Sequence, residues 1–336
     1  MGTLLGYWLT LEFNSRPYLV ILGHVVKDVN DPVRVSVYAF HMPLFFFLSG
    51  YLHKEQKVKD SIMNAFRKLL LPYFYFAFLI VIIWIGYLCF QHKFDAIIPF
   101  LRGYVKNIVL GRENVFKGSW FLLALFWVKT GLDLLLQVRK KGIQIGILIL
   151  LILVLSVLKF LNMPNFVYIE SALMALPFYA LGFYLNKYNL LHKIENYFKF
   201  DLIKYIAAGI IFLLLLFIGV YFNGRVSMLL VLFGNYKLFY FTALTGIALV
   251  YCVSNLFTNQ RCIIHLLSAG SLVVFITHFY IIDFLHFAFQ KVFFVNDGIM
   301  GLVSFAILCI EIPIVIIFNR YLPFMLGGRK IKNKQQ

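Results

Sequence analysis

Long apolar runs separated by short polar connections make up almost the whole of this chain. A membrane-spanning helix needs roughly 18–20 consecutive, mainly apolar residues. Ten segments approach that length: about 4–26, 38–53, 70–90, 119–138, 143–161, 166–186, 203–222, 236–257, 270–289 and 299–318. None has a period that separates one apolar face from a polar one, as expected of helices buried all round or facing lipid. The first run is interrupted by Glu12, Asn14, Ser15, Arg16 and Pro17. The second is short, which predicts a partly re-entrant segment. Pro43 then sits in the first turn of its helix, where a missing N–H costs nothing, and His41 falls just before the helix start. The longest connection, about 91–118, contains amphipathic stretches around Ile97–Arg102 and Tyr104–Lys106, which predict a helix lying in the membrane interface. The expectation is an all-α polytopic membrane protein with about ten transmembrane helices. Residues 1–320 form a single integral domain, and 321–336 a basic cytoplasmic tail.

Composition strengthens this picture. Of the 336 residues, 62% are hydrophobic and only 13% are charged, about half the charged share of a soluble domain. The formal net charge of +17 would raise nucleic-acid binding in a soluble chain. Here the cations concentrate between the apolar runs, so the charge reads as topology and no nucleic acid is expected. Basic residues follow the second, fourth, sixth and eighth runs (Lys54, Lys57 and Lys59; Arg139, Lys140 and Lys141; Lys187 and Lys193; Arg261) and fill the tail. By the positive-inside rule these loops are cytoplasmic, and with ten spans so are both termini. The loop after the third run is basic as well, but it is longer and mixed with Asp95 and Glu113. Cys89, Cys252, Cys262 and Cys309 are scattered without a Cys-x-x-Cys pair, so neither a metal site nor a disulfide framework is expected. Met1–Leu11 lacks the basic start and small-residue cleavage site of a signal peptide. No internal repeat is visible.

Ionisable side chains within such runs are costly unless paired or facing a wet cavity, so each is a functional candidate. His24 ends one apolar run and His41 lies in the next, either side of the polar loop Lys27–Pro32. A neutral imidazole can take a proton from a hydroxyl and return it to a leaving group; a histidine bonded to a neighbouring helix is the structural alternative. Ser49 is eight residues beyond His41, about 12 Å along a helix. That is too far for a nucleophile, and Ser49-Gly50 suits close helix packing instead. His278, Asp283 and His286 share a helix in the ninth run. Lys129 and Asp133 are placed for an i,i+4 pair, while Glu170 and Glu311 stand alone. Arg67-Lys68, before Leu69-Leu70-Leu71-Pro72-Tyr73, suits either headgroup anchoring or contact with the phosphates of a nucleotide. No P-loop, dinucleotide fingerprint or zinc spacing occurs.

Several of these stretches resemble the membrane acyltransferase-3 family, especially its fucose 4-O-acetylase-like branch of polysaccharide O-acetyltransferases. They are Leu22-Gly23-His24, the run Phe40-His41-Met42-Pro43 through Ser49-Gly50-Tyr51, Arg67-Lys68 through Tyr73, Ser119–Leu122, Leu176–Gly182 and Phe275–His278. They keep one order and cover most of the chain. The resemblance implies O-acyl transfer from cytoplasmic acetyl-CoA to an extracytoplasmic glycan or glycolipid, with His24 catalytic. Family members usually carry an Arg eleven residues before that histidine. Here position 13 is Phe13, and Arg16 lies eight residues before His24. Eight steps on a helix leave it about 80° away instead of about 20°.

The expected function is therefore an integral O-acetyltransferase of the plasma membrane. His24 acts as general base and His41 orients the acceptor or the thioester. Arg67 and Lys68 hold the CoA phosphates, and Arg16 and His278 line the acceptor side. Acetyl-CoA is the acyl donor, with no tightly bound cofactor and no metal. The rival readings are a glycan or lipid transporter, which would show repeats and broken helices at the midplane, a glycan polymerase, and an inactive relative of the enzyme.

Overall fold

The structure, a computed structural model, describes residues 17–26, 28–110, 115–138, 140–161, 165–198, 201–256, 270–288 and 297–327. Arg16 lies outside the described residues. The described elements are helices, joined by turns and one β-bridge between Ser227 and Leu232. In chain order they are α1 (17–25), α2 (Pro32–Tyr51), α3 (Val58–Ala65), α4 (Leu71–Phe90), α5 (Ile97–Leu110), α6 (Ser119–Gln137) and α7 (Lys141–Phe160). There follow α8 (Ile169–Lys187), α9 (Leu190–Phe198), α10 (Leu202–Asn223), α11 (Tyr236–Asn255), α12 (Ser271–Ala288) and α13 (Asp297–Tyr321). Among the described residues eight helices are long and apolar enough to cross a membrane. Their outer faces carry large exposed apolar side chains such as Phe78, Ile82, Phe217 and Leu302. On a water-soluble protein, patches of this size would drive association; against acyl chains they are at home. The protein is an all-α polytopic membrane protein.

One expectation fails in α2. The helix is a continuous 20 residues beginning at Pro32, so His41 and Pro43 both lie inside it. Asp31 sets the true start: its carboxylate accepts from the backbone N–H groups of Val33 (2.8 Å) and Arg34 (3.1 Å), and Pro32 occupies the first turn. An aspartate cap followed by proline is a stronger start signal than an internal proline. Within the helix Pro43 withholds only one N–H, a loss that a transmembrane helix packed among neighbours tolerates.

The chain divides into two compact units. Among the described residues, the first comprises 17–52 and Phe178–Tyr321. In it α2 is packed by α10 and α11, and α12 pairs with α13. The last turns of α2 meet the second half of α8 backbone to backbone. A Cβ on Gly50 would collide with the carbonyl of Tyr179, and one on Gly182 with the carbonyl of Phe47. Asn186 closes the contact by donating from Nδ2 to the Tyr51 carbonyl at 2.6 Å, which satisfies one of the acceptors left open at a helix end.

The second unit comprises His53–Pro177 and Leu322–Arg329. Its centre is Asp133 on α6, almost fully buried. Asp133 Oδ1 accepts from His53 Nε2 (3.0 Å) and from the Gln56 backbone N–H (3.2 Å), and Oδ2 accepts from Ser61 Oγ. Lys129 Nζ, one turn earlier on α6, stands at 3.9 Å from Oδ2, so the expected i,i+4 pair forms as the outermost of four contacts. Between α3 and α4 the helix widens into a π turn, Phe66–Leu70, with the Leu71 N–H reaching back to the Phe66 carbonyl. Widening here keeps the Pro72 ring clear of the carbonyl four residues before it, that of Lys68. Tyr104 anchors α5, its hydroxyl lying 2.7 Å from the Val115 carbonyl and 3.0 Å from that of Ala77. The rest of α5 is largely exposed, including Ile98 and Val109. Pro323–Leu326 form a 3-10 turn with Met325 and Leu326 buried, and Phe324 lies edge-on to Tyr75.

Candidate active site

The first unit brings three imidazoles together. The rings of His24 on α1 and His278 on α12 have centroids 5.3 Å apart, and those of His24 and His41 on α2 are 6.4 Å apart. Helix geometry explains the meeting. The turn at 28–31 reverses the chain, and α2, beginning at Pro32, carries His41 up beside the end of α1. Arg34 fastens the turn by donating from Nη1 to the Val26 carbonyl at 3.0 Å. Phe279 packs against both His24 and His278, its ring centroid 4.3 Å from one and 4.1 Å from the other.

The three rings differ in what they can do. His41 Nδ1 donates to the Val37 carbonyl at 2.9 Å and His278 Nδ1 to the Val274 carbonyl at 2.7 Å. A carbonyl oxygen only accepts, so each ring carries its proton on Nδ1 and, when neutral, a lone pair on Nε2. Both rings are buried, His278 completely, whereas His24 is partly accessible. His24 Nδ1 is 2.9 Å from the hydroxyl of Tyr38, one turn before His41 on α2. Arg34, one turn earlier again, stacks its guanidinium 5.1 Å from the centre of the Tyr38 ring. Residues 34, 38 and 41 thus form one face of α2, as i, i+4 and i+7 spacing requires.

Of the site residues expected from sequence, His24, His41 and His278 are gathered here. Arg16 lies outside the described residues. Arg67 and Lys68 belong to the second unit, where both are exposed on the π turn. Asp283 is exposed, and His286, three residues on, is buried. Glu311 on α13 is buried and accepts from Thr277 Oγ1 at 2.7 Å. Tyr38 escaped the sequence reading because a tyrosine in an aromatic-rich chain is unremarkable; the signal available was its position three residues before His41. His53 escaped too, since its partner Asp133 is 80 residues away. Among the described residues no group of three or more His, Cys, Asp or Glu side chains could hold a metal ion.

An accessible imidazole, oriented through one nitrogen and flanked by two more, is equipped to move a proton between two oxygen or sulfur atoms. Comparison with known proteins agrees in kind. The family model described as an acyltransferase domain matches residues 17–318, from the first described residue of α1 almost to the end of α13. No curated protein and no solved structure matches the chain. With that match running through nearly all of its helices, the chain belongs to the acyltransferase-3 family and is a multi-pass membrane acyltransferase.

Proposed function

We propose that this acyltransferase moves an acetyl group from acetyl-CoA to a hydroxyl of a cell-surface polysaccharide or lipid-linked glycan, at the plasma membrane. The observation that carries the reading is His24: of the three clustered imidazoles it is the partly accessible one. In the proposed step its Nε2 takes the proton of the acceptor hydroxyl as that oxygen bonds to the thioester carbonyl carbon. The tetrahedral adduct then collapses with cleavage of the C–S bond. The imidazolium returns the proton to the departing thiolate, so CoA leaves as a thiol and His24 is neutral again. Direct transfer is favoured because Ser49, the serine of the α2 motif, lies eight residues beyond His41, about 12 Å along the helix axis. His41 orients the acceptor or the thioester, and His278 lines the acceptor side. Arg67 and Lys68 are assigned to the CoA phosphates, where exposed cations on a widened turn suit a diphosphate.

The test is acetate on the surface glycan, measured by mass spectrometry in cells carrying equal amounts of membrane-inserted variants. A general base contributes about 10²–10⁴-fold to rate, so His24→Ala is expected to abolish detectable acetylation, and His41→Ala to leave a reduced fraction. Near-normal acetylation by the His24 variant would refute the reading.

A further inference from the structure

Resting on the reading that His24 is the base, we infer that Tyr38 is its positioning residue, a neutral acceptor that holds the imidazole proton on Nδ1 and steadies the ring once charged. A neutral imidazole can work as a base through Nε2 only when its proton is on Nδ1, and Nδ1 is the atom 2.9 Å from the Tyr38 hydroxyl. In that tautomer the ring donates and the phenol oxygen accepts. When Nε2 gains the acceptor's proton, the same contact becomes a charge-assisted hydrogen bond, which is shorter and stronger than a neutral one. A buried carboxylate performs this task in serine hydrolases; here a phenol does it without placing a second charge in the membrane.

Three further observations concern Tyr38 alone. Its ring lies 5.5 Å from that of His24 and 4.9 Å from that of His41, so it touches both imidazoles of the first two helices. Arg34 covers its face while bonded to the Val26 carbonyl, two residues beyond His24, so the ring is tied to the strand of chain it orients. Gly23, the residue before His24, makes room for it: a Cβ there would stand 3.2 Å from Tyr38 Cε2. Among the described residues, titratable groups facing His24 from the packed helices include Tyr38 and His41 on α2 and His278 on α12.

Diethyl pyrocarbonate acylates neutral imidazole, so the pH dependence of its reaction at His24 reports that ring's proton affinity without turnover. The full chain in lipid nanodiscs is treated across the neutral range, and the His24 peptide is quantified by mass spectrometry. Loss of an acceptor for the charged ring weakens its hold on the proton, so Tyr38→Phe is expected to move the midpoint down by about half a pH unit or more. Gly23→Ala, which presses on the ring but keeps the hydroxyl, is expected to move it the same way by less. In cells, Tyr38→Phe is expected to lower glycan acetylation about ten- to a hundredfold at an unchanged acetyl-CoA requirement. An unmoved midpoint in both variants would overturn the proposal. A moved midpoint with His24→Ala still active would uphold the Tyr38–His24 coupling and overturn its catalytic purpose, which separates failure of this inference from failure of the base assignment.

Discussion

At the scale of single residues, certain buried polar groups gather several partners at once. Asp133 is the clearest case outside the imidazole cluster. It accepts from His53, Gln56 and Ser61 and stands near Lys129, so one carboxylate fixes the 53–57 segment and α3 onto α6. Removing one partner from a buried charged pair typically costs about 3–5 kcal/mol, because the others keep their desolvation cost without a return. Asp133→Ala is expected to lower stability by about that much, and Asp133→Asn by less, since the amide still offers an oxygen. Thermal unfolding of the detergent-solubilised protein, followed by size-exclusion chromatography, measures it. If the alanine variant unfolds with the wild type, Asp133 is not what holds this unit together.

Element-scale behaviour depends on how closely helices approach and where they widen. Gly50 and Gly182 let α2 and α8 touch through backbone, and neither tolerates a Cβ without a shift of main chain. Overpacking of a tight interior costs roughly 1–3 kcal/mol, and here no flexible side-chain end can yield. Gly50→Leu is therefore expected to reduce the yield of folded protein sharply while Ser49→Ala does not; equal yields in a fluorescence-detected elution profile would contradict this. The π turn at Phe66–Leu70 sets the display of Arg67 and Lys68. If these cations hold CoA phosphates, replacing both with Gln should raise the acetyl-CoA concentration needed for half-maximal acetylation at least tenfold, by the loss of two charge-assisted contacts. An unchanged requirement, with normal insertion, would leave them as headgroup anchors.

For the molecule as a whole, the bias of Lys and Arg towards alternate loops sets an expected topology with both termini in the cytoplasm. A reporter active only in the cytoplasm should work when fused after Gln336 and fail when inserted in the 28–34 loop. The opposite pattern would invert the side from which each substrate must arrive.

Sequence alone determined the helical membrane class and most helix limits, because twenty apolar residues in a row have few stable alternatives in lipid. The runs near 203–222 and 236–257 match α10 and α11 to within two residues. The histidines were legible for a related reason: an imidazole costs enough in an apolar run to stand out. The start of α2 was legible in Asn30-Asp31-Pro32 but was outweighed by Pro43, since a helix start and a helix interior compete for the same residue type. Tertiary structure decided the rest. Which side chain meets His24 depends on the angle at which α2 returns past α1 and on where α12 packs, and neither is encoded in local periodicity. Tyr38, fourteen residues from His24, and Asp133, eighty from His53, acquire their roles only through those contacts. Apolar length fixes a helix locally, whereas a hydrogen bond between helices requires both to be in place.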